Sequence, residues 1–106
     1  MKRLILVSTL AFVLAMTSTV FAQVQHNGRI VNYHLNGAIQ GRGVCVQTEP
    51  RAPTAGGWFC LFKSNMLYQE MTALLRDAYV NERECAFVSN AVDAEGLAIL
   101  AIVECF

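Results

Sequence analysis

The side chains that could take part in catalysis are few in this chain and scattered along it. His26 and His34 are the only histidines, and no zinc-protease, nucleophile-elbow, phosphate-loop or dinucleotide-binding motif occurs. His34 falls on a predicted strand, where it is most simply a surface residue. Asp93 and Glu95 could form an acid–base pair, but they fall in a turn-like stretch where solvated carboxylates are expected. Because nothing gathers the groups that a catalytic site needs, we expect no catalytic residues and a protein that is not an enzyme.

Four cysteines are the strongest chemical signal, because their number is even and the chain is short. Such cysteines form either disulfides, in an oxidising compartment, or a metal site. No C-x-x-C pair occurs, and the gaps of 14, 24 and 19 residues do not match the spacing of zinc fingers or ribbons. The spacing therefore favours two disulfides over zinc, and we expect no metal and no cofactor. The four residues are Cys45, Cys60, Cys85 and Cys105.

The first 22 residues have the pattern of a secretory signal peptide. A positive start at Lys2 and Arg3 precedes an apolar run over residues 4–15. The small-x-small cleavage site Val20-Phe21-Ala22 follows, so the mature domain is expected to begin at Gln23. An uncleaved anchor is the alternative, but the apolar run is shorter than the roughly 20 residues that a membrane span needs. We therefore expect residues 1–22 to be a signal peptide and residues 23–106 to be a single domain that is secreted or periplasmic, where disulfides form.

The charge of the mature domain gives no reason to expect a nucleic-acid or lipid partner. Without Lys2 and Arg3, six basic residues stand against eight acidic ones, a net charge near −2. Nucleic acids and anionic membrane surfaces attract basic proteins. We therefore expect no nucleic-acid partner and no stable membrane insertion.

A turn near the end of the sequence predicts which cysteines pair. Two apolar runs are separated by a turn-like stretch that ends in Gly96, and a three-residue loop with this glycine in the left-handed conformation pairs Asp93 with Leu97. In that register the numbers of opposed residues add up to 190, which places Cys85 directly opposite Cys105. Opposed cysteines of neighbouring strands are close enough for a disulfide.

The other two cysteines fall on two further β-rich runs. Cys45 lies in residues 43–48 and Cys60 in residues 58–63, and the loop between the runs contains two prolines and two glycines. With the later cysteines already opposed, Cys45 and Cys60 pair by default.

One helical pattern lies between the third and fourth predicted strands. It runs from Met66 to about Glu82, and either Ser64 or Asn65 can cap its start. Its apolar residues form a broad stripe that we expect to pack on the sheet. The stripe consists of Leu67, Met71, Leu74, Leu75, Ala78 and Tyr79.

The predicted elements add up to one small fold. The first strand covers Arg29–Leu35, and Asn36-Gly37 interrupts it as a bulge or turn, so the order is β-β-β-α-β-β. A strongly coiled five-stranded sheet packed on one helix buries the apolar stripe, and a partly open barrel of the OB type is its commonest form. We therefore predict a mainly β domain with one α-helix, an OB-like barrel and two disulfides.

The order and spacing of several short segments resemble a known family. The segments are residues 30–39, Val44-Cys45-Val46, Phe59-Cys60-Leu61, the helix end at Asp77-Ala78-Tyr79 and the strand that follows it. From about Asn27 to Val88, the chain is similar to the B subunits of pertussis-type and subtilase-cytotoxin-type AB5 toxins.

The resemblance implies an OB-fold subunit that assembles into a homo-oligomeric ring, a pentamer in those toxins, with an A subunit as a further partner. It also implies a site for a glycan, sialylated in the toxins, and the matching positions here are Asn27 and Gln47. Sugar recognition needs an aromatic face beside a planar amide, which Tyr33 or Trp58 could supply unless they are ordinary core or edge residues. We therefore expect a secreted, non-catalytic subunit that binds host or surface glycans. The alternative is a small secreted or periplasmic inhibitor or accessory factor with the same fold and no glycan binding.

Overall fold

The computed structural model describes residues 22–106, so the expected signal peptide lies outside the described residues apart from Ala22. Within that part the chain forms five β-strands, one α-helix and a short 3-10 turn at Ala55–Gly57. In chain order the strands and the helix are β1 (Val24–Leu35), β2 (Arg42–Glu49), β3 (Trp58–Phe62), α1 (Tyr68–Val80), β4 (Glu84–Val92) and β5 (Ala98–Cys105).

The five strands form a barrel in the order β1-β2-β3-β5-β4, which closes through pairing of β1 with both β2 and β4. The first half of the long β1 runs antiparallel to β4, and its second half runs antiparallel to β2. The strands β3 and β5 are parallel and pair only through Phe59 with Ala98 and Cys60 with Ile99. This strand order, with the helix between β3 and β4, confirms the predicted mainly β, OB-like barrel.

An extra residue in β1 decides which side chains of its second half face outward. Ile30 pairs with Thr48, whereas Asn32 pairs with Gln47, so Val31 is an extra residue and forms a β-bulge. Ile30 is buried, and in a regular strand Asn32 would point to the same side. With the bulge Asn32 is exposed instead, and the rest of the strand presents the opposite set of residues to the core.

The helix packs on the barrel through one narrow face. Met71, Leu75 and Ala78 are buried, and Leu75 is completely inaccessible to solvent. Leu74 is only half-buried. The stripe predicted from the sequence is therefore too broad, and its centre lies at Leu75.

The helix begins two residues later than the sequence predicted, at Tyr68 instead of Met66. The Oδ1 atom of Asn65 accepts a hydrogen bond from the backbone N–H of Leu67 at 2.8 Å, so Asn65 rather than Ser64 supports the start. Leu67 precedes the first turn and is 52% exposed. It therefore does not belong to the buried face.

The helix ends at Val80, about two residues before the predicted end, in a Schellman motif. The backbone N–H of Arg83 donates to the carbonyl of Ala78 at 2.9 Å, and Glu82 adopts a left-handed conformation with φ of 53°. Glycine is the usual residue at this position, so the sequence carries no clear stop signal here. Tyr79 in the last turn is 40% exposed and also lies outside the buried face.

Both predicted disulfides are present. Cys45 is bonded to Cys60 and Cys85 to Cys105, in each case with Cα atoms 4.0 Å apart. Two disulfides indicate an oxidising, extracytoplasmic environment. Between residues 22 and 106, no helix is both long and apolar enough to cross a membrane.

The turn between β4 and β5 has the predicted structure. The backbone N–H of Asp93 donates to the carbonyl of Leu97 at 2.9 Å, and Gly96 adopts a left-handed conformation with φ of 85°. Two irregularities in the β4–β5 ladder, one extra residue on each strand, cancel each other. The predicted register is therefore restored where Cys85 faces Cys105.

Candidate functional site

Three neighbouring strands present a polar and aromatic outer face. Asn32 of β1 pairs with Gln47 of β2, and Gln47 pairs in turn with Trp58 of β3. His34 lies two residues beyond Asn32, and alternate residues of a strand share one side. We call the surface formed by Asn32, His34, Gln47 and Trp58 the amide–aromatic face.

Trp58 and His34 form one wall of a cleft on this face. Their ring centroids are 5.7 Å apart, and the ring planes are inclined by 54°. The cleft has a volume of about 150 Å³, and its lining includes Asn36 of the β1–β2 loop, Arg42 at the start of β2 and Leu97 of the β4–β5 turn. Because drug-sized pockets occupy roughly 300–1,000 Å³, this cleft holds one small group of a ligand rather than a whole large ligand.

The turn before β3 packs closely against the indole of Trp58. Gly56 is left-handed with φ of 64°, and a Cβ added there would lie 2.7 Å from the Trp58 ring. The hydroxyl of Thr54 donates to the carbonyl of Trp58 at 2.9 Å. Glycine at this position therefore provides both the turn and the room for the ring.

Two side-chain amides link the strands of the face. The Nδ2 atom of Asn32 donates to Oε1 of Gln47 at 2.6 Å, and Nε2 of Gln47 donates to the carbonyl of Gly56 at 2.7 Å. Both ends of the Gln47 amide are thus engaged. Asn32 is exposed, and within residues 22–106 its Oδ1 atom accepts no hydrogen bond.

Arg42, which lines the cleft, belongs to an ion-pair cluster with Asp93 and Glu95. The side chains of Arg42 and Asp93 are only 5% and 6% exposed, and Nη2 of Arg42 donates to Oδ2 of Asp93. The same nitrogen donates to Oε1 of Glu95 at 2.9 Å. The prediction of solvated carboxylates in this turn is therefore wrong for Asp93, because its partner Arg42 lies 51 residues earlier and the local sequence does not show it.

The cluster fixes the charges of its two buried members. Burial by itself disfavours the charged form of each group, but their partners outweigh this effect. The pKa of Arg42 is raised because Asp93 and Glu95 accept its hydrogen bonds. The pKa of Asp93 is lowered by the backbone N–H of Leu97 and by the Arg42 guanidinium. The Nε atom of Arg42 is buried without a hydrogen-bond partner in the described part of the chain.

We expect Asp93 to make the domain less stable in acid. Its pKa is lower in the folded than in the unfolded chain, so its contribution is complete above about pH 4 and is lost as the pH falls through the folded-state value. Asp93→Asn removes a hydrogen bond between charged groups and should lower the free energy of unfolding at neutral pH by about 1.5 to 3 kcal/mol. Urea denaturation of both proteins at decreasing pH measures this, and the difference should shrink below about pH 4. A difference that stays constant would contradict the pairing.

The structure brings two of the four predicted binding residues together. Gln47 and Trp58 pair across β2 and β3 on the amide–aromatic face. Asn27 is exposed in the first half of β1, where it pairs with Ala86 of β4. It lies roughly 16 Å along the strand from Asn32, away from the amide–aromatic face, and it does not line the cleft.

Tyr33 lies on the other side of β1, against the helix. Its ring stacks on Tyr79 with centroids 5.6 Å apart, and it lines a groove of about 480 Å³ together with Tyr68 and Arg76. Burial raises the pKa of the Tyr33 phenol above its ordinary value, although the positive charge of Arg76 opposes this. Tyr33 therefore belongs to the contact between sheet and helix and lies away from the cleft of Trp58.

The face also contains residues that the sequence patterns did not single out for binding. The β-bulge at Val31 places Asn32 and His34 on this face. Val31 is β-branched, as is typical of strand residues, so the sequence does not mark the bulge. The alternation of polar side chains at Asn32, His34 and Asn36 is the signal that could have found them.

The groups on the face can bind a ligand by stacking and hydrogen bonding. No set of three or more His, Cys, Asp or Glu side chains between residues 22 and 106 is arranged to hold a metal ion. The other histidine, His26, contacts the Thr48 hydroxyl at 2.9 Å and the Pro50 carbonyl at 2.8 Å.

No family model, curated protein or solved structure matches this chain.

Proposed function

We propose that this protein is a secreted, non-catalytic carbohydrate-binding subunit that uses the amide–aromatic face to bind host or surface glycans. The observation that carries the proposal is the cleft between Trp58 and His34, where aromatic rings lie beside planar amides. A sugar ring packs its apolar C–H groups on an aromatic ring, while its hydroxyls need amide or carboxylate partners at the edge. The face supplies both kinds of group within three adjacent strands.

The position of the cleft in the fold also supports the proposal. OB barrels bind oligosaccharides and oligonucleotides on the face of strands 2 and 3, between the β1–β2 and β4–β5 loops. The cleft lies at this place, since Asn36 and Leu97 of those two loops line it. A net charge near −2 for residues 23–106 favours the sugar over the nucleic acid.

We further propose that the subunit assembles into a ring with copies of itself. Large apolar side chains are exposed around the helix and the end of β1, among them Met66 (92%), Leu35 (70%) and Val80 (68%). Exposed apolar surface is typical of proteins that associate, and a heterologous contact between identical subunits forms a ring when the rotation between them closes. The resemblance to AB5 toxin B subunits favours a ring of five.

The proposal predicts glycan binding that depends on Trp58. A glycan array identifies an oligosaccharide, and fluorescence titration measures its affinity, because Trp58 is the only tryptophan of the chain. Trp58→Ala should weaken binding at least about tenfold, since it removes the stacking surface. Isothermal titration calorimetry measures the variant, which has no tryptophan.

The matched control is Asn27→Ala, which alters an exposed amide outside the cleft. It should leave the affinity unchanged. If Asn27→Ala abolishes binding while Trp58→Ala does not, the glycan site lies at the other end of β1 and the cleft is the wrong assignment. Native mass spectrometry tests the ring. A monomer that gives no signal on a broad array would overturn the proposal and favour an inhibitor or accessory factor.

A further inference from the structure

We propose that Asn32 binds a pair of neighbouring sugar hydroxyls directly and that Gln47 is a positioning residue that orients it. The inference rests on the proposed function, because it names the contact residue and the ligand chemistry of the same face. It differs from the assignment that the toxin resemblance implies, in which Gln47 itself holds the glycan.

One backbone carbonyl determines which end of each side-chain amide, of Gln47 and of Asn32, is the nitrogen and which is the oxygen. The oxygen of Gly56 can only accept, so the Gln47 atom at 2.7 Å from it is the donor Nε2. The Oε1 atom of Gln47 then faces β1 and can only accept, so the Asn32 atom at 2.6 Å from it is the donor Nδ2. The Oδ1 atom of Asn32 is thereby left for a partner outside the protein.

Gln47 has less hydrogen-bonding capacity to spare than Asn32, because each end of its amide already has one partner and only one N–H and one lone pair remain. To turn toward a ligand, its amide would have to release Asn32 or the Gly56 carbonyl, and each loss leaves a polar group without its partner. Gln47 is also half-buried between its neighbours, whereas Asn32 is exposed. Binding through Asn32 needs no such rearrangement.

The unused groups of Asn32 match the chemistry of a diol. Its Oδ1 atom has two free lone pairs, and its Nδ2 atom keeps one N–H after donating to Gln47. Such an amide accepts from one hydroxyl and donates to the next, as two adjacent hydroxyls of a pyranose allow. A carboxylate or phosphate carries no donor for Oδ1. The inferred ligand group is therefore a pair of vicinal sugar hydroxyls and not a carboxylate or a phosphate.

The distance to the aromatic ring suits one sugar residue. Asn32 is two strands away from Trp58, and neighbouring strands are about 4.8 Å apart, so the two Cα atoms are separated by roughly 10 Å. His34 lies on the same side of β1 and carries the aromatic surface toward Asn32. Asn32 lies beside the cleft and not in its lining, so a sugar ring that stacks on His34 at the edge of the cleft can extend its hydroxyls toward the Asn32 amide.

The test compares Asn32→Ala, Gln47→Ala and the double variant. The probes are methyl β-galactopyranoside, methyl β-glucopyranoside and their monodeoxy analogues, and the readout is the single Trp58 indole N–H resonance in an NMR titration. Asn32→Ala should weaken binding about tenfold, as expected for the loss of a hydrogen-bonded contact. Gln47→Ala should weaken it less, and the double variant should bind no more weakly than Asn32→Ala alone, because Gln47 acts through Asn32.

A second measurement shows whether Asn32 contacts the sugar or only supports the structure of the face. The loss caused by Asn32→Ala should disappear for the deoxy analogue that lacks the bound hydroxyl, an effect that a purely structural residue would not show. Additive losses in the double variant would mean that Gln47 touches the sugar itself and would overturn the inference.

Two further outcomes separate the inference from the proposed function. Unchanged affinity in Asn32→Ala, with the Trp58 resonance still responding, would overturn the inference and leave the proposed function standing. A Trp58 resonance that responds to neither glycoside would also overturn the inference, and the glycan array then decides whether the proposed function falls with it.

Discussion

Loss of the Cys85–Cys105 disulfide is expected to lower the free energy of unfolding by about 3 kcal/mol. The two cysteines are 20 residues apart in sequence, and cross-linking a loop of that size restricts the unfolded chain by roughly this amount. A small domain has a total stability of about 5 to 15 kcal/mol, so the loss is a large share of it. Urea denaturation of the Cys85→Ala/Cys105→Ala double variant measures the effect.

The other disulfide provides the matched comparison. Cys45 and Cys60 are 15 residues apart, so Cys45→Ala/Cys60→Ala should cost a similar or slightly smaller amount, again about 3 kcal/mol. Peptide mapping of the unreduced protein should recover both links. Losses below about 1 kcal/mol for both double variants would show that the barrel does not depend on its cross-links.

Leu75→Ala is expected to destabilise the domain by about 2 to 5 kcal/mol. Leu75 is fully buried where α1 packs on the barrel, so truncation removes buried apolar contacts and leaves a cavity. Two neighbours on the same helix serve as controls. Leu74 is half-buried, so Leu74→Ala should lower the free energy of unfolding by about 1 kcal/mol. Arg76 is exposed, so Arg76→Ala should change it by about 0.5 kcal/mol or less.

Thermal or urea unfolding of the three variants gives the order directly. The expected order of destabilisation is Leu75→Ala, then Leu74→Ala, then Arg76→Ala. If Leu74→Ala is the most damaging of the three, the helix is rotated about its axis relative to the arrangement described above.

The β4–β5 hairpin and its disulfide could be predicted because their structure is encoded locally. A single glycine, Gly96, is suited to the left-handed position of the turn, and the antiparallel ladder then carries the register to Cys85 and Cys105. The helix ends were harder, since an apolar pattern does not reveal where a helix stops. Glu82 occupies a left-handed position that usually carries glycine. Because no glycine marks the helix end, the apolar pattern predicts a helix that is too long.

The cleft could be predicted only in part, because contacts distant in sequence build it. Gln47 and Trp58 come together through strand pairing. Arg42 at the start of β2 meets Asp93 in the β4–β5 turn, and burial of their ion pair depends on the tertiary fold. The bulge at Val31, which turns Asn32 outward, carries no glycine or proline to mark it.

The short pairing between β3 and β5 divides the barrel into two covalently closed ribbons. One disulfide ties β2 to β3 and the other ties β4 to β5, so neither spans the place where β3 and β5 meet. The β4–β5 ribbon is also joined to the rest of the barrel through the β1–β4 ladder. The two ribbons are therefore held together along this line mainly by packing of buried side chains such as Phe59 and Ala98, and amide exchange of β3 and β5 with solvent should depend on that packing.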